Sequence, residues 1–254
     1  MKALIKKFLN RKSNIAASVS GLSAGVRVYC IGDIHGRLDL LTAVHEKINA
    51  HKAESTDKIY VVYLGDYVDR GPQSMQVVDY LINSPLDNVQ NIYLLGNHEQ
   101  TLLQFLYGSA DMIAHDWFRF GGLATLQSYG ITLKGIPTHK DIDGLRTEFS
   151  EQCPFSHKQF YQTLLDYFEL DNYYFVHAGI KPKVKLSKQS VDDLLWIREE
   201  FLNSTRQHGK IIVHGHSVSE APEILPNRIG LDTGAYASNI LTCAVFKGAD
   251  VTLL

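Results

Sequence analysis

Leu64-Gly65-Asp66-Tyr67-Val68-Asp69-Arg70-Gly71 follows directly on the apolar run Ile59-Tyr60-Val61-Val62-Tyr63. The run is short, β-branched and aromatic, and reads as a buried strand. A strand that breaks into Gly-Asp presents a carboxylate at its C-terminal end, where open α/β sheets place their sites. Asp66, Asp69 and Arg70 then crowd into one short loop, and Gly65 and Gly71 let the backbone turn tightly around them. A single loop of this kind is also what a solvated surface turn looks like, but the chain repeats the device. Val26-Arg27-Val28-Tyr29-Cys30-Ile31 runs into Gly32-Asp33-Ile34-His35-Gly36, and Asn91-Ile92-Tyr93-Leu94-Leu95 runs into Gly96-Asn97-His98-Glu99. His35, Asp66 and Asn97 fall at equal intervals of 31 residues, the length of one strand–helix–strand unit. The three strands are therefore expected to be parallel, with their C-terminal loops along one edge.

Outward from this frame, Asp39 is expected to cap a helix over 40–50, and Pro72 to open another over about 73–83. Residues 100–170 read as a helical insertion packed beside the site, with aromatic clusters at Trp117-Phe118-Arg119-Phe120 and Phe160-Tyr161. The sheet resumes at Tyr173-Tyr174-Phe175-Val176, followed by His177-Ala178-Gly179. Ser190 is placed to cap a helix containing Asp192 to Phe201. Lys210-Ile211-Ile212-Val213 is a strand ending in His214-Gly215-His216-Ser217, and the segments 228–234 and 241–246 read as antiparallel β. Residues 1–25 read as a basic, weakly amphipathic tail and a Ser/Ala/Gly-rich linker, which leaves 26–254 as one domain.

Composition bounds the function. With 25 basic and 27 acidic residues and a net charge of -2, no basic field argues for a nucleic acid polymer. No apolar run approaches the roughly 20 residues of a membrane helix, and lysines interrupt the N-terminal stretch before a signal-peptide core can form. Cys30, Cys153 and Cys243 are scattered, suggest no disulfide framework and favour a reducing cytoplasm.

The strand ends gather Asp33, His35, Asp66, Asp69, Asn97, His98, His177 and His216. This mixed nitrogen and oxygen set, free of thiolate, suits Mn²⁺, Zn²⁺ or Fe rather than Ca²⁺ or a structural zinc. It offers more ligands than one tetrahedral metal needs, and two metals sharing a carboxylate account for the number. The planar fork of Arg70 matches phosphate oxygens. Other histidines read as structural: His115, His139 and His157 lack ligand spacing, His45, His51 and His208 are expected in solvent, and His214 packs at a strand end. Glu99 and Asp232-Thr233-Gly234 are expected to support the site rather than supply ligands.

Gly-Asp-Ile-His-Gly at 32–36, Gly-Asp-Tyr-Val-Asp-Arg-Gly at 65–71 and Gly-Asn-His-Glu at 96–99 resemble the signature blocks of the phosphoprotein phosphatase family, within the calcineurin-like metallophosphoesterases. His177-Ala178-Gly179 and Gly215-His216 match its two later histidine blocks, so the resemblance spans about 26–246. It implies an α/β/α sandwich with a central mixed β-sandwich. It also implies two divalent cations, Mn²⁺ before Zn²⁺ or Fe: Asp33, His35 and Asp66 hold the first, and Asp66, Asn97, His177 and His216 hold the second. By the same resemblance a metal-bridging water attacks phosphorus directly, without a phosphoenzyme. His98 protonates the leaving oxygen, Asp69 orients His98, and Arg70 binds the phosphoryl group. Arg198, in Trp196-Ile197-Arg198-Glu199, resembles the second phosphate-binding arginine of the bacterial and phage branch. The Leu195-Trp196-Ile197-Arg198-Glu199 stretch departs from the eukaryotic Leu-Trp-Ser-Asp-Pro block, which points to a bacterial-type member. The implied substrate is a phosphoserine or phosphothreonine protein. The alternative is a phosphorylated small molecule of the dinucleoside polyphosphate kind, cleaved symmetrically.

Overall fold

Residues of alternating direction along one strand build two cores at once. In β1 (Val26–Ile31), Val28 and Cys30 face one side of the sheet and Tyr29 and Ile31 the other, and all four are buried. The computed structural model describes residues 21–254 apart from 109, 134 and 136. The basic segment 1–12 and the linker up to residue 20 lie outside the described residues. Of the remaining linker residues, Leu22 is buried, and its backbone N–H donates to the Gly248 carbonyl.

β1 pairs in parallel with β2 (Lys58–Tyr63), and β2 in parallel with β3 (Gln90–Tyr93). The connecting helices are α1 (Leu38–Lys52) and α2 (Ser74–Asn83). Helix α3 (Asn97–Tyr107) follows, then α4 (Ala110–Trp117), a π-helical turn at Phe118–Gly122, α5 (Leu123–Ser128), α6 (Ile142–Gln152) and α7 (Phe155–Gln162). The second sheet holds β4 (Tyr167–Leu170), β5 (Tyr173–Val176), β6 (Ile211–His214), β7 (Glu223–Ile224) and β8 (Arg228–Gly230). Helices α8 (Val191–Trp196) and α9 (Glu199–Leu202) lie between β5 and β6, and α10 (Ala235–Ser238) follows β8. β9 (Cys243–Lys247) and β10 (Asp250–Leu253) return antiparallel to the first sheet, which orders β10-β9-β1-β2-β3, while the second orders β4-β5-β6-β8-β7.

Val28, Cys30, Tyr60 and Val62 from the first sheet interdigitate with Phe175, Val213 and Ile229 from the second, with Phe246 beside them. The outer face of the first sheet, through Tyr29, Ile31, Val61 and Tyr63, packs on the helices from α1 to α7. Tyr174, Val176 and Ile212 on the second sheet's outer face cover Leu194 and Phe201. This is the expected α/β/α sandwich, and the two parallel crossovers put the loops after β1, β2 and β3 on one edge.

Four details depart from the sequence reading. Asp39 lies inside α1 rather than capping it, and its carboxylate is drawn to the Arg37 guanidinium. β4 falls in the stretch read as helical. β8 pairs in parallel with β6 and antiparallel with β7. The helix expected to carry Arg198 breaks at Ile197, so Arg198 stands in the gap between α8 and α9.

His45 is a fifth departure, because it is buried rather than solvated. It shares the inner face of α1 with Leu41, Val44 and Ile48, and its Nε2 hydrogen-bonds the Tyr63 hydroxyl at 2.9 Å. Burial pushes its pKa down from 6.5 to about 4. Between those values the unfolded chain takes up a proton that the fold refuses. Stability is therefore full above about pH 6.5 and falls as pH drops through the window. The drop should reach about 3 kcal/mol near pH 4. The expected outcome is that His45→Gln flattens the fall of melting temperature between pH 6.5 and 4. Superimposable pH profiles for the two proteins would show that His45 does not titrate in this way.

Candidate active site

Backbone conformation at the strand ends is what aims the side chains. His35, Asp66, Asp69, Arg70 and His216 all adopt left-handed φ, between 47° and 71°. For non-glycine residues this costs of order 1 kcal/mol or more each. Glu99 offsets that strain. Its buried carboxylate accepts the backbone N–H groups of Tyr67 (2.7 Å) and Val68 (3.2 Å) on Oε1, and those of Asp66 (2.9 Å) and Gly96 (3.1 Å) on Oε2. The two acidic loops are thus strapped together by one side chain. Gly96 is required at the junction, because a Cβ there would overlap the Asp66 carboxylate and the Asp66 backbone.

Asp66 is the centre of the arrangement, 1% exposed. His35 Nε2 lies 3.5 Å from its Oδ2, and His177 Nε2 lies 3.4 Å from its Oδ1. Two donor groups capable of holding a cation meet here: His35, Asp66 and His98, and Asp66, His177 and His216. Asp66 belongs to both. Burial alone would raise its pKa, but the imidazoles around it, His177 foremost, outweigh burial and hold the carboxylate well below its usual range. Burial lowers His35, His177 and His216 in turn, His216 to about 2. Binding a divalent cation requires the carboxylate ionised and the ligating imidazoles unprotonated, so an ion here would displace protons from this cluster.

Hydrogen bonding points the same way. His35 Nδ1 donates to the Val68 carbonyl and His177 Nδ1 to the Leu64 carbonyl, both at 2.8 Å, so each turns its Nε2 lone pair inward. The Nε2 atoms of His35 and His216 are buried without a partner. His177 Nε2 and His216 Nδ1 converge on Asn97 Oδ1 at 2.8 and 2.9 Å, with Asn97 set at the start of α3. Acceptor atoms this close fit a shared cation. Asp33, also buried, turns its carboxylate to the backbone N–H of His216 at 3.0 Å and joins neither three-donor group. Burial and the charges of Asp232 and Asp66 push its pKa well up.

His98 is bonded at both ring nitrogens. Its Nδ1 meets Asp69 Oδ2 at 2.6 Å and its Nε2 receives the Arg70 guanidinium at 3.1 Å. Burial would lower its pKa, but Asp66 and Asp69 overcome burial and raise it. Asp69 is itself fixed from the insertion. Trp117 donates its Nε1 at 3.0 Å and Thr125 its hydroxyl at 2.5 Å. Sequence reasoning missed both, although it marked the aromatic cluster around Trp117. Arg70 lies 4.6 Å over the Tyr236 ring, and its backbone N–H donates to the Gly121 carbonyl. Arg198 is near enough for its charge to help depress His177 and His216, behind the larger effect of burial.

The profile of the calcineurin-like phosphoesterase family matches residues 26–239. The chain belongs to this family. Members use divalent metals, and the imidazoles and carboxylate gathered at Asp66 are able to hold them here. Its relatives include the asymmetrical bis(5'-nucleosyl)-tetraphosphatase PrpE of Halalkalibacterium halodurans, 24% identical over 85% of this chain and 88% of that protein. The protein of the same name from Anoxybacillus flavithermus is 27% identical over 84% of this chain and 87% of its own length. A cold-active protein-tyrosine phosphatase of a psychrophilic Shewanella aligns with a TM-score of 0.57 at 16% identity, over 92% of this chain and 83% of that one. This calcineurin-like phosphoesterase is accordingly a hydrolase of phosphate esters, with the sandwich fold its neighbours share.

Proposed function

We propose that this phosphoesterase hydrolyses dinucleoside polyphosphates, the substrate class the sequence placed second, but with asymmetrical cleavage in place of the symmetrical cleavage expected there, and with the phosphoprotein reading as its competitor. The observation that carries it is a ring of exposed aromatic side chains around the donor cluster. Tyr236 lies 5.5 Å from His35, Phe120 6.3 Å from His98 and Trp196 6.4 Å from His216, ring centre to ring centre. They come from three different elements, and each is more than a third exposed. Proton transfer and cation binding do not need such rings, whereas flat bases flanking a phosphate chain do. Trp196 is braced by Gln100, which accepts its Nε1–H at 2.7 Å. A groove of about 350 Å³, lined by Arg70, Pro72, Ala124, Gln127 and Ser128, opens beside the arginine. The names of the PrpE relatives support the same substrate class.

Two divalent cations on the Asp66 groups, Mn²⁺ in our reading, would supply a Lewis acid and an activated water. Asp66 would be shared, with His35 and Asp33 on one side and Asn97, His177 and His216 on the other. Arg70 and Arg198 would clamp the phosphoryl oxygens from two sides. As Arg70 swings to phosphate it frees His98 Nε2 to take up a proton from solvent, and the imidazolium, held at Nδ1 by Asp69, then donates that proton from Nε2 to the leaving oxygen. Three unpaired buried cysteines suit a cytoplasmic setting.

The test compares kcat/KM of the Mn²⁺-loaded protein for diadenosine tetraphosphate and for a phosphothreonine peptide. A strong preference for the dinucleotide is expected, with ATP and AMP as products if cleavage follows the relatives' names. Phe120→Ala and Trp196→Ala should each raise KM for the dinucleotide about tenfold, the loss of one stacked base. Turnover of a small aryl phosphate should stay unchanged. A preference for the peptide, with aromatic substitutions affecting both substrates equally, would overturn the proposal.

A further inference from the structure

Two histidines meet on the surface of the insertion. His115, near the end of α4, and His139, in the loop before α6, bring their Nε2 atoms to 3.2 Å with ring planes crossing at 75°. Both are exposed, and each is held by its backbone. Thr138, next to His139, donates its N–H and its hydroxyl to Asp141 Oδ2 at 2.7 Å, which fixes that turn. His115 is two residues from Trp117, whose ring is fully buried and bonded to Asp69.

An exposed hydrogen bond between two imidazoles competes with water and gives little reason for the juxtaposition. A cation gives a better one. Zinc–nitrogen bonds of about 2.0–2.1 Å at tetrahedral angles place two ligand nitrogens about 3.3 Å apart, close to the observed separation. We propose that His115 and His139 form a surface site for a borderline d-block cation, Zn²⁺, Ni²⁺ or Cu²⁺, separate from the catalytic donors, with water completing the coordination. Imidazole pairs select these ions over Mg²⁺ and Ca²⁺, which prefer oxygen. Among the described residues no third His, Cys, Asp or Glu donor joins the pair, so the site is open and exchangeable rather than a closed structural one. An ion there ties the loop before α6 to α4. Helix α4 leads through Trp117 into the π-helical turn whose Gly121 carbonyl holds the Arg70 backbone. Occupancy therefore braces one wall of the active site from outside.

Untagged, Mn²⁺-loaded protein applied to an immobilised Ni²⁺–iminodiacetate resin tests the site. The catalytic histidines are buried and cannot reach a resin-bound chelate, and residues 1–20 contain no histidine. The expected result is retention of the parent until imidazole is added, and much earlier elution of both His115→Gln and His139→Gln. Turnover of an aryl phosphate with Mn²⁺ should be unaltered in both. Calorimetric titration with ZnCl₂ should lose one binding event in each variant. Equal retention of all three proteins, or an equal number of zinc-binding events, would overturn the proposal.

Discussion

Replacing Asp66 with asparagine should lower kcat/KM at least about a thousand-fold, equivalent to about 4 kcal/mol of transition-state stabilisation. The reason is its position. Asp66 is the one residue common to both donor groups, and its charge is what four imidazoles are arranged around. An amide keeps the shape but removes the negative charge that two cations would share. It also sets an NH₂ group where His98 now donates its backbone N–H to Oδ1, or forces the amide to turn that group toward His35. Metal content should fall below two equivalents while the fold, read by circular dichroism, persists. A variant that keeps two bound metals and near-parent turnover would show that the shared carboxylate has been wrongly assigned.

The second large effect is on stability. Glu99→Gln should cost about 3–5 kcal/mol, although Glu99 touches no substrate and adds no ligand. Burial pushes the Glu99 pKa up to about 8, and the charge of Asp66 adds to the rise. The geometry nonetheless requires an acceptor at every lone pair, because four backbone N–H groups point at the two oxygens. Glutamine must turn an NH₂ toward two of them. The loops it releases carry left-handed Asp66, Asp69 and Arg70, so the strain loses its counterweight. Urea unfolding measures the cost. A midpoint and slope equal to the parent's would mean that the strap is not what holds these loops.

The site was legible where its chemistry is local. Each strand-end block carries its donors within a few residues, and equal spacing between blocks revealed the parallel crossovers. What was hidden depends on distance along the chain. Trp117 and Thr125 reach Asp69 from 48 and 56 residues away, and no local pattern announces such a contact. Tyr236 lies in α10, just past the Asp232-Thr233-Gly234 turn that the sequence marked, and its place over Arg70 follows from how α10 closes the edge. Asp33 shows the same dependence: its block is plain in the sequence, but the bond its carboxylate makes to the His216 backbone N–H, 183 residues away, is not. His45 was a different kind of miss. Its signal is present, since it falls at helical spacing with Leu41, Val44 and Ile48, the face that α1 buries. β8 could not be oriented from sequence because its direction depends on which strand it joins.

The insertion's hold on Asp69 limits how this enzyme can diversify. A peripheral segment is ordinarily free to be exchanged as a cassette, so that new pockets evolve over an unchanged reaction centre. Here the segment beside the site also holds, through Trp117 and Thr125, the carboxylate bonded to His98. A graft from a relative with another substrate would import a new wall and lose the anchor together, unless it carried its own tryptophan and threonine at matching positions. Recombination within this lineage should therefore favour changes of side chain along the insertion over wholesale replacement of it.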